Sequence, residues 1–305
     1  MSLLLAGQLQ WVARSALPFL ASCLLPIWCY DRTRFLILVL RMKRMHEREN
    51  LLYQSEGLVH PIVEVIQRRD VRYLRFGSGG GWQGAMRTDG LGRPVFAYQR
   101  AFLTLLESMA AEIIQPESFL SMGVGTGTAL RNLSQLFPEC HLNGVELDKK
   151  VLDIALKYFD CPSPPQAEFW VGDGIEYLST QERVFDLIFV DAYLKNRVYS
   201  PCVQPQFVQL LASRLKTDGI AVLNLITGVP PKGGMGKFLN AAKEQFASVL
   251  LLPVSTSPAV MEQNVLGVFT NRTDIIQLWT QQMRHSLNLS FWQRTWWPYR
   301  LVNFE

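Results

Sequence analysis

The chain has 305 residues, 49% of them hydrophobic and 18% charged, with a net charge of +4. This balance excludes a disordered or fibrous protein and fits one large α/β domain with an appended module. The charge excess is small and sits largely in Arg41, Lys43, Arg44 and Arg48, so no nucleic-acid partner is inferred.

Residues 1–50 differ from the rest. An apolar run at 16–30 is interrupted by Pro18 and Pro26. Asp31, Arg32 and Arg34 separate it from a second run at 35–40. Neither reaches the ~20 residues that span a bilayer. The expectation is a helical extension packed on the body of the protein or on a second subunit. The alternative is a short membrane anchor, with membrane contact through residues 16–48 and the basic cluster on the cytoplasmic side. A signal sequence is a third reading, but no clear small-residue cleavage site follows.

Residues 51–98 form a small β module. The β-type runs at 61–66 and 71–76 are joined by a turn-sized connection at 67–70, which predicts a hairpin. The glycines at 77–81 end the second strand, and Asp89, Gly90, Gly92 and Pro94 mark another loop. From 95 to 114 the pattern turns helical, with Phe102, Leu105, Leu106 and Met109 on one stripe.

An α/β domain is expected over 99–305. An apolar run at 119–122 enters Gly123, Gly125 and Gly127, and a helical pattern follows at 129–136. Strands are predicted at 141–147, 167–171, 185–191 and 220–225, with helices at 149–159 and 206–215. The run at 185–191 is nearly all apolar and so belongs in the middle of a sheet. Lys216 to Gly219 reads as a helix stop. A helix at 238–246 and two closing strands at 249–254 and 264–269 complete the pattern. The aromatics of the last stretch, Phe291, Trp292, Trp296, Trp297 and Tyr299, are expected mostly in the core. The alternation predicts a Rossmann-like, doubly wound, mostly parallel sheet. Five scattered cysteines (Cys23, Cys29, Cys140, Cys161 and Cys202), with no C-x-x-C pair, argue against a disulfide framework or a zinc cluster. They fit reduced thiols in a cytoplasmic enzyme.

In such a sheet the ligand lies beyond the carboxyl ends of the strands. The first strand presents Gly123, Gly125 and Gly127 there. The second ends in Glu146, about 20 residues after the glycine turn, the spacing of a carboxylate that grips ribose hydroxyls. The third ends in Asp173, between Gly172 and Gly174, and the fourth in Asp191. Taken singly, each of these acids reads more readily as a loop cap or solvated turn residue. Their joint placement points to one crevice.

The stretches at 123–131, 145–152, 171–178 and 185–191 together resemble the S-adenosylmethionine-binding fold of class I methyltransferases. They resemble more closely its spermidine synthase (polyamine aminopropyltransferase) branch. The likeness covers roughly residues 53–225 and includes Gln83, Tyr98 and Gln99, carried upstream of the core. It implies that Glu146 holds the ribose and that Asp173, Gly174 and Ile175 sit by the adenine. It implies that the glycine loop with Thr126 lies under the cofactor and that Gln83 and Gln99 contact its methionine-derived part. Asp191, with Tyr98, would orient an attacking amine and accept its proton, since an ammonium is no nucleophile. The implied cofactor is S-adenosylmethionine or its decarboxylated form, with no metal. The implied partners are a small-molecule amine or other acceptor and a second copy of the chain.

Two positions depart from the family pattern. Thr126 stands where that loop carries an Asp for the aminopropyl amine. Leu194 stands where a second catalytic-loop Asp is normal, with Lys195 and Arg197 close behind. Both departures weaken the fit to a polyamine substrate, and aminopropyl transfer is the expectation because Gln83, Tyr98, Gln99 and Asp191 all match the family. Methyl transfer, or a non-catalytic nucleoside-binding scaffold, stands as the alternative.

Overall fold

A computed structural model describes residues 49–77, 80–194 and 197–304. The expectations placed on the leader at 1–50 fall, but for its last two residues, outside this range. Strands β1 (Asn50–Ser55), β2 (Val63–Arg68), β3 (Val71–Phe76) and β4 (Trp82–Arg87) pair antiparallel in chain order. The predicted hairpin is β2–β3, closed by Arg68 opposite Val71. Sequence reasoning missed the two strands that flank it. In β1, Leu51 and Leu52 are exposed and no apolar alternation marks the strand. In β4, Gly84 interrupts the run, and it does so for a reason: a Cβ there would collide with Thr126 of the glycine turn.

The second sheet opens with β5 (Ser118–Met122), β6 (His141–Glu146), β7 (Ala167–Val171) and β8 (Phe185–Val190). A minimal hairpin of β9 (Tyr193–Leu194) and β10 (Arg197–Val198) follows. Then come β11 (Leu215–Thr227), β12 (Ser248–Pro253), β13 (Gln263–Thr270) and β14 (Val302–Asn303). Their order across the sheet is β14-β12-β13-β11-β8-β5-β6-β7. Strands β11, β8, β5, β6 and β7 run parallel, and β13 lies antiparallel on β11. The chain thus starts at β5, winds outward through β6 and β7, and returns to β8 on the other side of β5. The winding reverses between β5 and β8, and a crevice opens at such a point because the flanking connections leave in opposite directions.

Helices α1 (Ala97–Ala111), α2 (Thr128–Leu136), α3 (Lys149–Tyr158), α4 (Gly174–Thr180), α5 (Pro205–Arg214), α6 (Gly233–Gln245), α7 (Ile275–His285) and α8 (Phe291–Arg300) cover the sheet. The stripe predicted on α1 is buried, and Phe102 stacks on Phe189 of β8 at 4.4 Å between ring centres. Trp279 of α7 is fully buried and donates its indole N–H to Thr104 Oγ1 of α1 at 3.0 Å. That bond satisfies the polar edge of a large apolar ring. On the opposite face Phe207, Leu211 and Phe238 from α5 and α6 pack with Phe185 and Phe269.

The structure corrects two expectations. The stop at 216–219 belongs to β11: Leu215 pairs with Phe185, and the register then jumps to Ile220 opposite Leu187. The local turn residues are absorbed as an irregularity in a long strand. Of the C-terminal aromatics only Trp297 is in the core, 3% exposed, whereas Phe291, Trp292, Trp296 and Tyr299 are 57% to 72% exposed. Helical spacing explains this, because Trp297 and Pro298 take the inward arc of α8 and the other four fall on the outward arc. Helices α4, α7 and α8 escaped the sequence reading. The first has only seven residues, and Gln277, Gln281 and Gln282 dilute the apolar period of α7. Among the described residues no helix is long and apolar enough to cross a membrane.

Trp279→Ala should lower unfolding stability by about 3–5 kcal/mol, because it removes a fully buried ring and leaves a cavity between α1 and α7. Urea unfolding measures the change. A loss under about 1 kcal/mol would mean that the α1–α7 contact is not part of the cooperative core.

Candidate active site

The crevice is built on a close approach. Gly123 follows β5 with φ +88°. Its N–H donates to Val145 O at 2.9 Å, while the N–H of Asp191 donates to Met122 O at 2.8 Å. The ends of β5, β6 and β8 are therefore tied one residue beyond the regular ladder. A Cβ on Gly123 would collide with the Asp191 carbonyl group. Only glycine meets both the positive φ and the contact. Gly125, at φ +55°, has open space above it. Gly127 is the N-cap that precedes α2 and backs onto Cys161, whose Cβ lies 2.5 Å from where a glycine substituent would point. Thr126 is 2% exposed, with its Oγ1 3.1 Å from Thr128 Oγ1 and its methyl group against Gly84.

Glu146 ends β6 and folds back over the glycine turn. Its Oε2 accepts from the N–H groups of Val124 and Gly125, both at 3.1 Å, and its Oε1 from that of Asp148 at 3.2 Å. Burial pushes its carboxyl above the usual range, and these N–H groups offset part of that push. Asp148 is the N-cap of α3, accepting from Lys150 N–H, and its other oxygen takes the N–H of Val59 at 3.0 Å. This bond ties the loop before β2 to the rim of the crevice. Asp173 caps α4 through Oδ1, and its Oδ2 accepts the Tyr199 hydroxyl at 2.6 Å. That bond, more than burial, pushes the Tyr199 phenol up to about 12.

Asp191 is the one carboxylate of the set with both oxygens held by side chains. Its Oδ2 accepts the Tyr98 hydroxyl at 2.7 Å, and its Oδ1 accepts Asn224 Nδ2 at 2.8 Å. Gln99 Nε2 donates to the Tyr98 oxygen at 3.3 Å. Asn264 Nδ2 donates to Asn224 Oδ1 at 3.0 Å, and the Tyr193 hydroxyl to Asn224 O at 3.0 Å. Burial raises the Asp191 carboxyl, while the bonds from Asn224 and Tyr98 act the other way. Burial, followed by the charge of Asp191, holds the Tyr98 phenol well above its usual range, so it remains a donor. The arrangement can orient a cationic group and take a proton from it.

These groups surround a cavity of about 420 Å3, within the range of small-molecule sites. The β module closes it with Leu74, Phe76, Trp82 and Gln83. Of the residues expected from sequence, Gln83, Tyr98, Gly123, Gly125, Glu146, Asp173, Gly174 and Asp191 line the cavity. Gln99, Thr126 and Gly127 stand behind the wall: Gln99 is buried against Tyr98, Thr126 under Gly84 and Gly127 over Cys161. Sequence reasoning missed Asn224, Asn264, Tyr193 and Tyr199. Asn224 left a signal, as a lone amide in an apolar strand close to its carboxyl end.

A model of the spermine/spermidine synthase domain matches residues 96–264, more than half of the chain. A probable polyamine aminopropyl transferase of Bifidobacterium longum is 32% identical over 132 residues, which is 43% of this chain and 28% of that protein. The chain thus spans less than a third of that relative's length. A polyamine aminopropyltransferase of Neisseria meningitidis is 25% identical over 215 residues, covering 67% of this chain and 80% of the relative. A solved structure, of a probable spermidine synthase from Corynebacterium glutamicum, shares the fold. It aligns with a TM-score of 0.64 at 15% identity, over 79% of this chain and 88% of that one.

The raised carboxyl of Asp191 has a signed consequence for stability. The fold favours its protonated form, so that contribution is present at low pH and is lost as pH rises through the folded value. Asp191→Asn removes this loss. In urea unfolding, the stability of the variant minus that of the wild type should grow as pH rises above about 4, the unfolded value. A flat or falling difference would contradict the burial of a reluctant carboxylate.

Proposed function

The chain belongs to the spermine/spermidine synthase family, and from that premise we propose that it transfers an aminopropyl group from decarboxylated S-adenosylmethionine to an amine held at Asp191. The observation that carries this reading is the charge of the cavity. Glu146, Asp148, Asp173 and Asp191 line it, and among the described residues no Lys or Arg does. A decarboxylated donor carries a sulfonium and an ammonium and suits such a wall. The intact donor adds a carboxylate, which meets no cation among the described side chains of the same wall. An unpaired charge of that kind is costly in a half-buried site.

When bound, the donor supplies a carbon made electrophilic by the neighbouring sulfonium. The chain supplies placement and proton transfer. Glu146 keeps lone pairs beyond its three backbone bonds, and these are suited to ribose hydroxyls. Asp173 is engaged by α4 and Tyr199, so it shapes the adenine end together with Gly174 and Ile175. Gln83 is fixed through Nε2 to Gly81 O at 3.2 Å, which leaves its Oε1 for the aminopropyl ammonium. Asp191, held from both sides, fixes the acceptor nitrogen and takes its proton. Its raised affinity for protons suits a base that works near neutral pH. Tyr98 and Asn224 set the carboxylate plane, and Gln99 sets Tyr98.

Calorimetric titration with the two forms of the donor tests the charge argument. The decarboxylated form should bind at least about tenfold more tightly, a difference of about 1.4 kcal/mol. Tighter binding of the intact form would favour methyl transfer, and binding of neither would favour a scaffold. For Asp191→Asn, turnover should fall by about two orders of magnitude or more while donor affinity stays near that of the wild type. Unchanged turnover removes Asp191 from the mechanism.

A further inference from the structure

The cavity has two halves, set by the sheet order. On one side of Asp191 lie β5, β6 and β7, which bring the glycine turn, Glu146 and Asp173 to the wall. On the other side lie β11, β13 and the end of β12, which bring Asn224, Ile226, Asn264, Val254 and Ser255. Asn224 and Ile226 are two residues apart on one strand and so share a face, and Ile226 pairs with Asn264 across the β11–β13 ladder. Every one of these side chains is neutral. The first half carries the acids that suit the donor, so the second half receives the acceptor, and Asp191 stands at the junction.

The polar groups of this second half are largely committed to each other. Asn264 Nδ2 donates to Asn224 Oδ1, and Asn224 Nδ2 donates to Asp191. Ser255 Oγ donates to Gln263 Oε1 at 2.7 Å and accepts from Ser257 N–H at 3.1 Å. Ile226 and Val254 supply apolar wall between them. Asp191 is therefore the one carboxylate that this half offers among the described residues, and the reacting amine uses it. A second ammonium placed beyond it would leave water without a counter-charge. The cost of an unpaired buried charge exceeds what neutral amides return.

We propose that the acceptor is a monoamine: a primary amine at one end, and an uncharged remainder that packs on Ile226 and Val254 and bonds to the amide row of Asn224 and Asn264. This rests on the aminopropyl-transfer reading and narrows it. In the reaction an N–C bond forms at the acceptor and the C–S bond of the donor breaks. The sulfur keeps the electron pair and becomes a neutral thioether, and the proton lost by the amine leaves through Asp191.

The test is a competition among amines, with the full chain and decarboxylated S-adenosylmethionine, read as methylthioadenosine release and as the mass of the aminopropylated product. The acceptors are n-butylamine and 4-aminobutan-1-ol against 1,4-diaminobutane and 1,5-diaminopentane. The better monoamine should exceed both diamines in kcat/KM by at least about tenfold. Equal use, or preference for a diamine, overturns the proposal while leaving aminopropyl transfer standing. Release with no amine at all overturns the transfer reading and this proposal with it. Ile226→Asp places a carboxylate in the neutral half. It should shift the diamine-to-monoamine ratio upward by at least about tenfold with donor affinity unchanged. A folded variant with an unchanged ratio would also overturn the proposal.

Discussion

The site depends on one steric constraint, the passage of Gly123 beneath the backbone of Asp191. The strands β5 and β8 are neighbours, and the chain reverses its winding between them. Because Gly123 has no Cβ, their ends come close enough for Asp191 N–H to bond Met122 O. That bond puts the carboxylate at the mouth of the crevice, within reach of Tyr98 on one side and Asn224 on the other. The same turn offers the N–H groups of Val124 and Gly125 to Glu146. One residue without a side chain thus brings Glu146 and Asp191 to the same cavity.

The four acids that reach the cavity do different work. Asp148 and Asp173 are helix caps, each also bound to a second group that shapes the rim. Glu146 holds the glycine turn and keeps capacity for a ligand. Asp191 alone is held by side chains on both oxygens, which is how a base is aimed. A family motif places all of them, but only their partners separate a structural carboxylate from a reactive one.

Much of this was legible in the sequence. The glycine turn, the spacing to Glu146 and the apolar strand ending at Asp191 are local signals, and local signals survive without coordinates. The fate of Thr126 was not legible. It sits in the middle of the glycine loop, yet its side chain turns away from the cavity to meet Gly84, a residue on a strand the sequence reading did not find. The departure at Thr126 therefore bears on packing between the two sheets. The amide row of Asn224 and Asn264 was also out of reach, because it needs the antiparallel register of β11 and β13. The exposed aromatics of α8 show the same limit: the residue types say core, and only the helix orientation says otherwise.

At the centre of this account is the acid at the donor end of the cavity: burial holds the Glu146 carboxyl above its usual range, and a doubly cationic donor against it favours the ionised form. Titration calorimetry in two buffers of different ionisation enthalpy, at about pH 5, counts the protons that move on binding. The account predicts net proton release when decarboxylated S-adenosylmethionine binds, and less release with Glu146→Gln. Binding with no proton release, or with uptake, would contradict it.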